Sequence, residues 1–307
     1  MNIQKGTFDN FDSFKEAITD WSLDFTILSK GDFKAKFHLF TSDTFLLSRE
    51  TLNAKIEHSG VSPVGFRTLV IPVNYDTEFV WFNKRVSGKE ILLFPKNNLI
   101  DVVTYSGLDI HLVSIKESVL FEAIEALKYK NCYQLFHGEA KNILLTQEFS
   151  QQFFQLANSF LNDPISSEKL RIQKIQQLIF ILLKYIENSD YQTHLSSQKT
   201  KRIALKKAIE IIHTHYDDSF SIPKLCSMVH VSERTLFDAF KEKYKVAPSA
   251  YIKAYRLNEV KKEIYSSEDM GISEIASKYH FWHLSQFSKD FKKQFGMLPS
   301  EVRRKKK

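Results

Sequence analysis

Basic and small polar side chains recur at helical spacing in two stretches near the C-terminal end of the sequence. In each stretch an apolar residue stands at every fourth position, and the polar residues fall between these positions. Because residues four apart share one helical face, this spacing predicts a buried stripe and an exposed polar face. Ammonium, guanidinium and hydroxyl groups on such a face can bind phosphate oxygens and base edges. The exposed candidates are Arg234, Thr235, Asp238 and Lys241 in the first stretch and Ser285, Ser288, Lys289 and Lys292 in the second.

The two stretches are copies of one internal repeat. Residues 221–231 align with residues 271–281 at an offset of 50, and the aligned pairs include Ile with Ile, Cys with Ala and His with His. Phe240-Lys241 aligns with Phe291-Lys292 at an offset of 51, so the second copy has one extra residue near its turn. Two in-register copies with matched apolar positions indicate two copies of one structural unit.

Each copy predicts a helix, a short turn and a second helix. In the first copy, Ser232 predicts the N-cap of a helix over residues 233–244, because its side chain can accept from a free backbone amide. Pro248 and Pro299 close the copies, since proline cannot continue a helix. Residues 249–265 form a continuous helical pattern between them. A helix-turn-helix places its second helix in the DNA major groove, so a rigid linker helix would hold two such helices about 34 Å apart.

Charge is distributed unevenly along the chain. Residues 201–307 contain 22 basic and 13 acidic residues, whereas the first 200 residues contain 21 basic and 23 acidic residues. The excess positive charge therefore lies in the C-terminal third, where it indicates either a polyanionic partner or a solvated basic surface. The terminal run Arg303-Arg304-Lys305-Lys306-Lys307 would either contact phosphates or form a disordered end.

Composition limits the compartment and the class of protein. The two cysteines, Cys132 and Cys226, are too few for a disulfide framework or a cysteine-rich zinc site, and they suit a reducing compartment. The N-terminus lacks the apolar core of a signal peptide, and no uncharged apolar run reaches the ~18 residues of a membrane span. We therefore expect a soluble cytoplasmic protein without a membrane partner.

Short β-type segments dominate the sequence from about residue 22 to residue 115. Residues 108–115 alternate apolar and polar side chains, as a half-buried strand does. Residues 79–82 and 90–94, joined across Ser87-Gly88, predict a β-hairpin. Many short strands separated by turns predict an antiparallel sandwich or barrel.

One long helix is predicted after the strands. Apolar residues recur at three- and four-residue spacing over 167–188, and this stripe would either pack against the sheet domain or form a homodimer seam. The polar, non-periodic residues 189–200 predict a linker. The expected domains are a regulatory or dimerisation domain at 1–188, this linker, and a DNA-binding domain at 201–307.

Residues 201–304 resemble the DNA-binding region of the AraC/XylS family of bacterial transcription regulators. The resemblance implies binding to promoter DNA at two adjacent major-groove segments and contact with RNA polymerase. The matching residues are Ile275-Ala276, Phe281, Phe287, Phe291-Lys292, Phe295-Gly296, Pro299-Ser300 and Arg303, with Arg256-Leu257 between the two copies. The groove-facing residues that the resemblance implies are Arg234, Phe237, Asp238 and Lys241 in the first copy and Ser285, Gln286, Ser288, Lys289 and Lys292 in the second.

Two residues depart from the family pattern. His280 stands at a turn position where the family usually has glycine, which predicts strain or a longer turn. Asp238 stands where a basic residue is common. It would either accept a hydrogen bond from a cytosine amino group or avoid the DNA, and the cost of an acid near a polyanion favours avoidance.

The resemblance also implies an α+β architecture. A β-rich, cupin-like N-terminal barrel with following helices would precede an all-α domain of two helix-turn-helix units joined by a linker helix. His38, His58 and His111 are scattered and form no HxH pair, so we expect no metal, no cofactor and no enzyme activity. The barrel would hold a small-molecule effector. The alternatives are a pure protein-interaction scaffold and a cupin-type enzyme fused to a DNA-binding module.

Overall fold

The structure is a computed structural model of the 307-residue chain. It describes residues 2–18, 21–82, 84–95, 99–138, 141–162, 167–193, 199–215, 221–267 and 269–305. The strands are β1 Asn2–Phe8, β2 Ser22–Ile27, β3 Ala35–Thr41, β4 Phe45–Leu52, β5 Ile56–Val61, β6 Phe66–Pro72, β7 Glu78–Trp81, β8 Lys84–Ser87, β9 Glu90–Leu93, β10 Leu99–Thr104, β11 Leu108–Lys116, β12 Lys141–Leu144 and β13 Tyr191–Thr193. The helices are α1 Phe11–Ala17, α2 Glu117–Leu127, α3 Lys130–Phe136, α4 Gln147–Asn162, α5 Glu168–Glu187, α6 Lys199–Thr214, α7 Ile222–Val229, α8 Glu233–Tyr244, α9 Pro248–Ser266, α10 Ile272–Lys278, α11 Leu284–Phe295 and α12 Pro299–Lys305.

The chain divides into two compact units. The sheet unit comprises Met1–Asp24, Lys34–Asn53 and His58–Leu195, and the helical unit comprises Phe25–Phe33, Ala54–Glu57 and Ser196–Lys307. This combination of a sheet-rich N-terminal part and a helical C-terminal part confirms the α+β class. Two short N-terminal segments are thus part of the helical unit, which no pattern along the sequence indicates. Residues 194–198 of the expected linker lie outside the described residues.

Antiparallel pairing organises the strands. One sheet has the order β1-β3-β4-β11-β6-β9-β12-β13, and the other has the order β2-β5-β10-β7-β8. In the first sheet Leu112 of β11 lies opposite Ser48 of β4 on one side and Val70 of β6 on the other. The predicted strand over 108–115 is confirmed as β11.

The hairpin predicted across Ser87-Gly88 is wrong. Strand β7 pairs with β8, whereas β9 pairs with β6 and β12 in the other sheet. The prediction missed β8 because its residues Lys84 and Arg85 are exposed and charged. Strand β8 lies at the end of its sheet, where charged side chains are tolerated and discourage further pairing.

Helix α5 covers part of the hydrophobic core of the sheet unit. Its residues Leu178, Leu182 and Ile186 are buried in one core with residues from the sheet and from α2, α3 and α4. The apolar stripe predicted over 167–188 therefore packs within a single chain. Leu170 departs from this pattern, since half of its surface is exposed (50%).

The helical unit confirms the repeat. Helices α8 and α11 have 12 residues each and lie at the offset of 51. Their buried stripes are equivalent, with Phe240 matching Phe291 and Tyr244 matching Phe295. Proline begins both following helices, α9 and α12. Helix α9 confirms the continuous helix predicted between the copies. None of the described helices is long and apolar enough to span a membrane.

Candidate nucleic-acid interface

The turn between α7 and α8 and the turn between α10 and α11 each contain a histidine whose backbone is in the left-handed region. His230 has φ 55° and His280 has φ 65°. In each turn the next residue donates its amide to a carbonyl five residues earlier, Val231 to Cys226 at 3.2 Å and Phe281 to Ala276 at 2.9 Å. Left-handed backbone favours glycine, which agrees with the glycine-like position predicted for His280.

The first recognition helix, α8, begins as the sequence predicts. Ser232 is its N-cap and accepts from the Thr235 amide at 3.2 Å, and the two hydroxyl groups lie 2.9 Å apart. The hydroxyl group of Thr235 therefore supports the cap, which reduces its availability to DNA. Phe237 is 45% exposed, and the Lys241 ammonium lies 5.5 Å from its ring centroid.

The exposed surface of α8 mixes charges. Arg234, Asp238 and Lys241 are all exposed, as the sequence predicts. Glu233 and Glu242 are also exposed, and Lys201 of α6 forms an ion pair with Glu242 at 2.8 Å. A phosphate would therefore meet carboxylates as well as cations along this helix, which weakens its electrostatic attraction for DNA.

The second recognition helix, α11, presents a more basic surface. Ser285, Gln286, Lys289 and Lys292 are exposed, and Ser288 is half-buried. Its acidic residue, Asp290, forms an ion pair with Lys253 of α9. Burial raises the pKa of Asp290, but hydrogen bonds from Lys253 and Gln286 outweigh burial and hold that pKa below its usual value. The charge of Asp290 is thus compensated within the fold, and Gln286 is partly engaged in doing so.

Trp282 is an exposed aromatic residue that was not among the predicted contact residues. It immediately precedes the N-cap of α11, His283; 67% of its surface is exposed, and its ring centroid lies 5.7 Å from that of His280. The one-residue difference between the two offsets is the signal that could have identified this part of the turn. A large exposed aromatic ring at the start of α11 adds contact area beside the predicted basic residues.

A buried polar network lies under the first recognition helix. The carboxylate of Glu57 accepts from the hydroxyl groups of Tyr244 at 2.6 Å and Tyr251 at 2.5 Å. His213 Nε2 lies 3.0 Å from the Tyr251 hydroxyl oxygen. Burial and the neighbouring Glu57 carboxylate raise the pKa of Tyr251 well above its ordinary value, so this side chain stays a neutral donor.

Residues 225–305 match a family model described as "Helix-turn-helix domain". The chain carries a helix-turn-helix domain of the AraC/XylS type. The matched segment of this AraC/XylS-type domain contains the second half of α7, both turns and both recognition helices.

Two relatives match this chain over different lengths. The Msm operon regulatory protein of Streptococcus mutans is 25% identical over 226 residues, which cover 71% of this chain and 76% of that protein. The XylDLEGF operon transcriptional activator of Pseudomonas putida is 26% identical over 103 residues, which cover 33% of this chain and 32% of that protein. The chain thus spans about a third of the length of the second relative, and the match there is confined to roughly one domain.

Among solved structures, the AraC-like transcriptional activator CuxR is similar over 85% of this chain and 96% of its own. The TM-score is 0.44, with 9% sequence identity.

The three histidines considered as metal ligands, His38, His58 and His111, lie on three separate strands, β3, β5 and β11. His58 Nε2 lies 3.0 Å from Thr104 Oγ1, and His111 Nδ1 lies 3.2 Å from the Ser48 carbonyl. Burial lowers the pKa of each histidine to about 4. Within the described ranges, no group of three or more His, Cys, Asp or Glu residues is arranged to hold a metal ion.

Two buried donors in the sheet unit have unused hydrogen-bonding capacity. Arg67 is fully buried and donates from Nη2 to the Phe94 carbonyl at 3.3 Å, whereas its Nε and Nη1 have no partner among the described residues. Trp81 Nε1 is likewise buried without a partner among those residues, and the Trp81 ring lies 4.7 Å from the Phe94 ring. Burial lowers the pKa of Arg67, and the charge of Glu117 offsets part of this effect.

Proposed function

We propose that this protein is a sequence-specific DNA-binding transcription regulator that acts as an activator at promoters. The observation that carries the proposal is the pair of matched recognition helices α8 and α11, each presenting exposed polar side chains on the surface opposite its buried stripe. Its support also includes the operon-regulator and activator names of the relatives. RNA polymerase is the partner that activation requires.

In this proposal α8 and α11 enter successive major-groove segments on one side of the DNA. Arg234, Phe237 and Lys241 contact the first segment. The second segment is contacted by Ser285, Gln286, Ser288, Lys289 and Lys292, and it provides most of the electrostatic binding because α11 is the more basic helix.

The C-terminal run has a more limited role than the sequence suggests. Arg303 donates from Nη2 to the Met270 carbonyl at 2.7 Å, and residues 303–305 continue helix α12. The Arg303 side chain therefore stabilises the helical unit through this hydrogen bond. Arg304 is an exposed cation that can contact phosphate. Lys306 and Lys307 lie outside the described residues.

The experiment that tests the function is selection of bound DNA from random duplexes, followed by footprinting of the selected sequences. We expect two protected segments about one helical turn apart. A mobility-shift titration at moderate salt should then show at least about a thousandfold preference over random DNA, the lower end of the range typical of specific binding. Equal affinity for selected and random DNA would contradict the proposal.

We propose that the sheet unit senses a small carboxylate with an apolar body. Its support is the unused donors Arg67 Nε, Arg67 Nη1 and Trp81 Nε1, because leaving such groups unpaired in a buried position is costly. Arg67 binds the Phe94 carbonyl, and the Trp81 ring contacts the Phe94 ring. A carboxylate would pair with the guanidinium, and the aromatic rings would contact an apolar body. Since Arg67 is fully buried, entry of the ligand requires local opening of the sheet unit.

Thermal-shift screening of small aliphatic and aromatic carboxylates tests this sensor role. A carboxylate present at 100 times its Kd should stabilise the protein by about 2.7 kcal/mol. The matching amides should have no effect, and Arg67→Met should abolish the shift. A flat response to every carboxylate would favour a protein-interaction scaffold instead.

We propose that a homodimer forms through residues 167–188, but through a surface of this helix other than the predicted apolar stripe. The stripe residues of α5 are buried in the chain's own core, but Leu170, Ile172 and Phe180 are exposed. Sedimentation of the wild type and of Phe180→Glu tests this surface, and a monomeric wild type would exclude it. A regulator of this kind acts on DNA in the cytoplasm and needs neither a cofactor nor a catalytic site.

A further inference from the structure

Two segments from the N-terminal part of the chain are built into the helical unit. These segments, Phe25–Phe33 and Ala54–Glu57, are together called the N-terminal bridge below. The Leu28 amide donates to the Lys55 carbonyl at 2.9 Å, and the Lys55 amide donates to Ser29 Oγ at 3.0 Å. The two segments are therefore hydrogen-bonded to each other as one piece.

One end of the N-terminal bridge binds the first helix-turn-helix unit. The Glu57 carboxylate accepts from Tyr244 and Tyr251, as described above. Lys55 Nζ also donates to the Tyr244 carbonyl at 2.9 Å. Tyr244 is the last residue of α8, so the bridge holds the C-terminal end of the first recognition helix through both its side chain and its backbone.

The other end of the bridge binds the linker helix and the second recognition helix. Asn258 of α9 accepts from the Ile27 amide at 3.1 Å and donates to the Ile27 carbonyl at 3.1 Å. Gln294 of α11 donates to the Ile27 carbonyl at 2.8 Å and to the Ser29 carbonyl at 2.9 Å. Both amide side chains are buried, so these hydrogen bonds are shielded from competing water.

The second recognition helix also contacts the bridge through its backbone. The Gly31 amide donates to the Lys293 carbonyl at 3.1 Å, one residue before Gln294. Helix α9 thus provides one connection between α8 and α11, and the N-terminal bridge provides a second one. Two connections restrict the relative movement of two helices far more than one does.

We propose that the N-terminal bridge fixes the distance and angle between α8 and α11, so that Asn258 and Gln294 are positioning residues for simultaneous binding of two DNA half-sites. The proposal rests on the proposed function and specifies how its two recognition helices act together. Once one helix has bound, the second binds intramolecularly, and its effective concentration is highest when the geometry is already correct. A preorganised pair therefore selects one half-site spacing.

Binding of the full-length chain to duplexes of varied half-site spacing tests the bridge. The two half-sites come from the selected DNA, and their centre-to-centre spacing is changed in steps of one base pair. Wild type should show a sharp optimum at about 10 base pairs. Gln294→Met keeps a similar volume but removes two buried hydrogen bonds, so affinity at the optimum should fall about tenfold and the spacing profile should flatten.

Two measurements separate positioning from general destabilisation. The affinity of Gln294→Met for a duplex with only the second half-site should equal that of wild type. Gln173→Met, an exposed substitution of the same type on α5, should leave the spacing profile unchanged. A parallel loss on single and paired half-sites, or an unchanged spacing profile in folded Gln294→Met, would overturn the positioning role.

A second variant covers the case in which circular dichroism shows that Gln294→Met does not fold. Tyr244→Phe removes the hydroxyl group that binds Glu57 and keeps the buried ring, and it should flatten the spacing profile in the same way. An unchanged profile in this variant would also overturn the proposal. If wild type binds no selected DNA, the proposed function itself is wrong, which is distinct from specific binding without a spacing preference.

Discussion

The first helix-turn-helix unit, α7 with α8, and the second, α10 with α11, can be aligned through their buried residues. Leu225 and Cys226 of the first match Ile275 and Ala276 of the second, and all four are buried. Both turns contain a left-handed histidine, and both recognition helices end at a left-handed residue, Lys245 or Gly296. The fold thus imposes the same requirements twice.

The exposed residues of the two units differ. Helix α8 presents Arg234 and Lys241 among the carboxylates of Glu233, Asp238 and Glu242. Helix α11 presents Lys289, Lys292 and Lys293, and its carboxylate is bound by Lys253. Packing constrains the buried positions, whereas the exposed positions are free to specialise for a partner. The comparison predicts units that are equivalent in stability and unequal in DNA affinity.

The largest expected effect tests the equivalence of the two cores. Phe240→Ala and Phe291→Ala each remove a fully buried ring, so each should lower the free energy of unfolding of the helical unit by about 4 kcal/mol. Denaturant titration measures both losses, and Phe237→Ala, which truncates a ring on the exposed face, should cost less than about 1 kcal/mol. Losses that differ by more than about 2 kcal/mol between the two core variants would show that the cores are not equivalent.

The next effect tests the inequality in DNA affinity. Lys289→Ala/Lys292→Ala should weaken binding to a selected site by about 3 kcal/mol, about a hundredfold, and reduce the salt slope by about 2. The matched double variant in the first unit, Arg234→Ala/Lys241→Ala, should cost about 1 kcal/mol because neighbouring carboxylates already weaken its attraction for phosphate. Mobility-shift titrations at several salt concentrations provide both values. Equal losses would contradict the dominance of α11.

A smaller effect tests the shared turn geometry. His230→Gly and His280→Gly should each stabilise the helical unit by about 0.5–1 kcal/mol, because glycine adopts a positive φ without the steric cost borne by other residues. His280→Ala is the control and should bring no gain, since alanine bears the same cost. Thermal unfolding measures the change, and a gain confined to one unit would show that the two turns differ.

Local signals explain why the helical unit was largely predictable. The bounds of α8 follow from the cap at Ser232, the apolar spacing of four and the start of α9 at Pro248, and the structure confirms them. Each of these signals acts within a few residues of the chain. The half-buried position of Ser288 and the capping role of the Thr235 hydroxyl could not be predicted in this way, because they depend on neighbouring elements and hydrogen-bond geometry.

Non-local hydrogen bonds explain what the sequence could not predict. Asn258 and Gln294 are polar residues at helical positions, and their partner is the backbone of Ile27, more than two hundred residues away. Every residue type has a backbone amide and carbonyl, apart from the missing amide hydrogen of proline, so a backbone partner cannot be recognised from the order of side chains. The sequence therefore does not indicate that the N-terminal bridge binds these helices. Strand β8 was not predicted for a different reason, because its exposed charged residues lack the apolar pattern of a strand.

The smallest expected effect concerns Asp238, the residue that most clearly separates the two recognition surfaces. Asp238 is exposed on α8, and it either avoids the DNA or accepts from a cytosine amino group. If it avoids DNA, Asp238→Asn removes a repulsive charge and should tighten binding about threefold on every sequence, about 0.7 kcal/mol, with no change in base preference. Asp43→Asn, a control in the sheet unit, should have no effect.

If Asp238 reads a cytosine, the outcome differs in kind. Affinity for the selected site should then fall, and discrimination at one position should decrease by about 1–3 kcal/mol. Binding of wild type and Asp238→Asn to the four duplexes that vary at each position of the first half-site separates these cases. A uniform gain would leave the first unit as a weakly charged partner of α11, whereas a loss at one C·G pair would make it a sequence-specific reader despite its acidic residue.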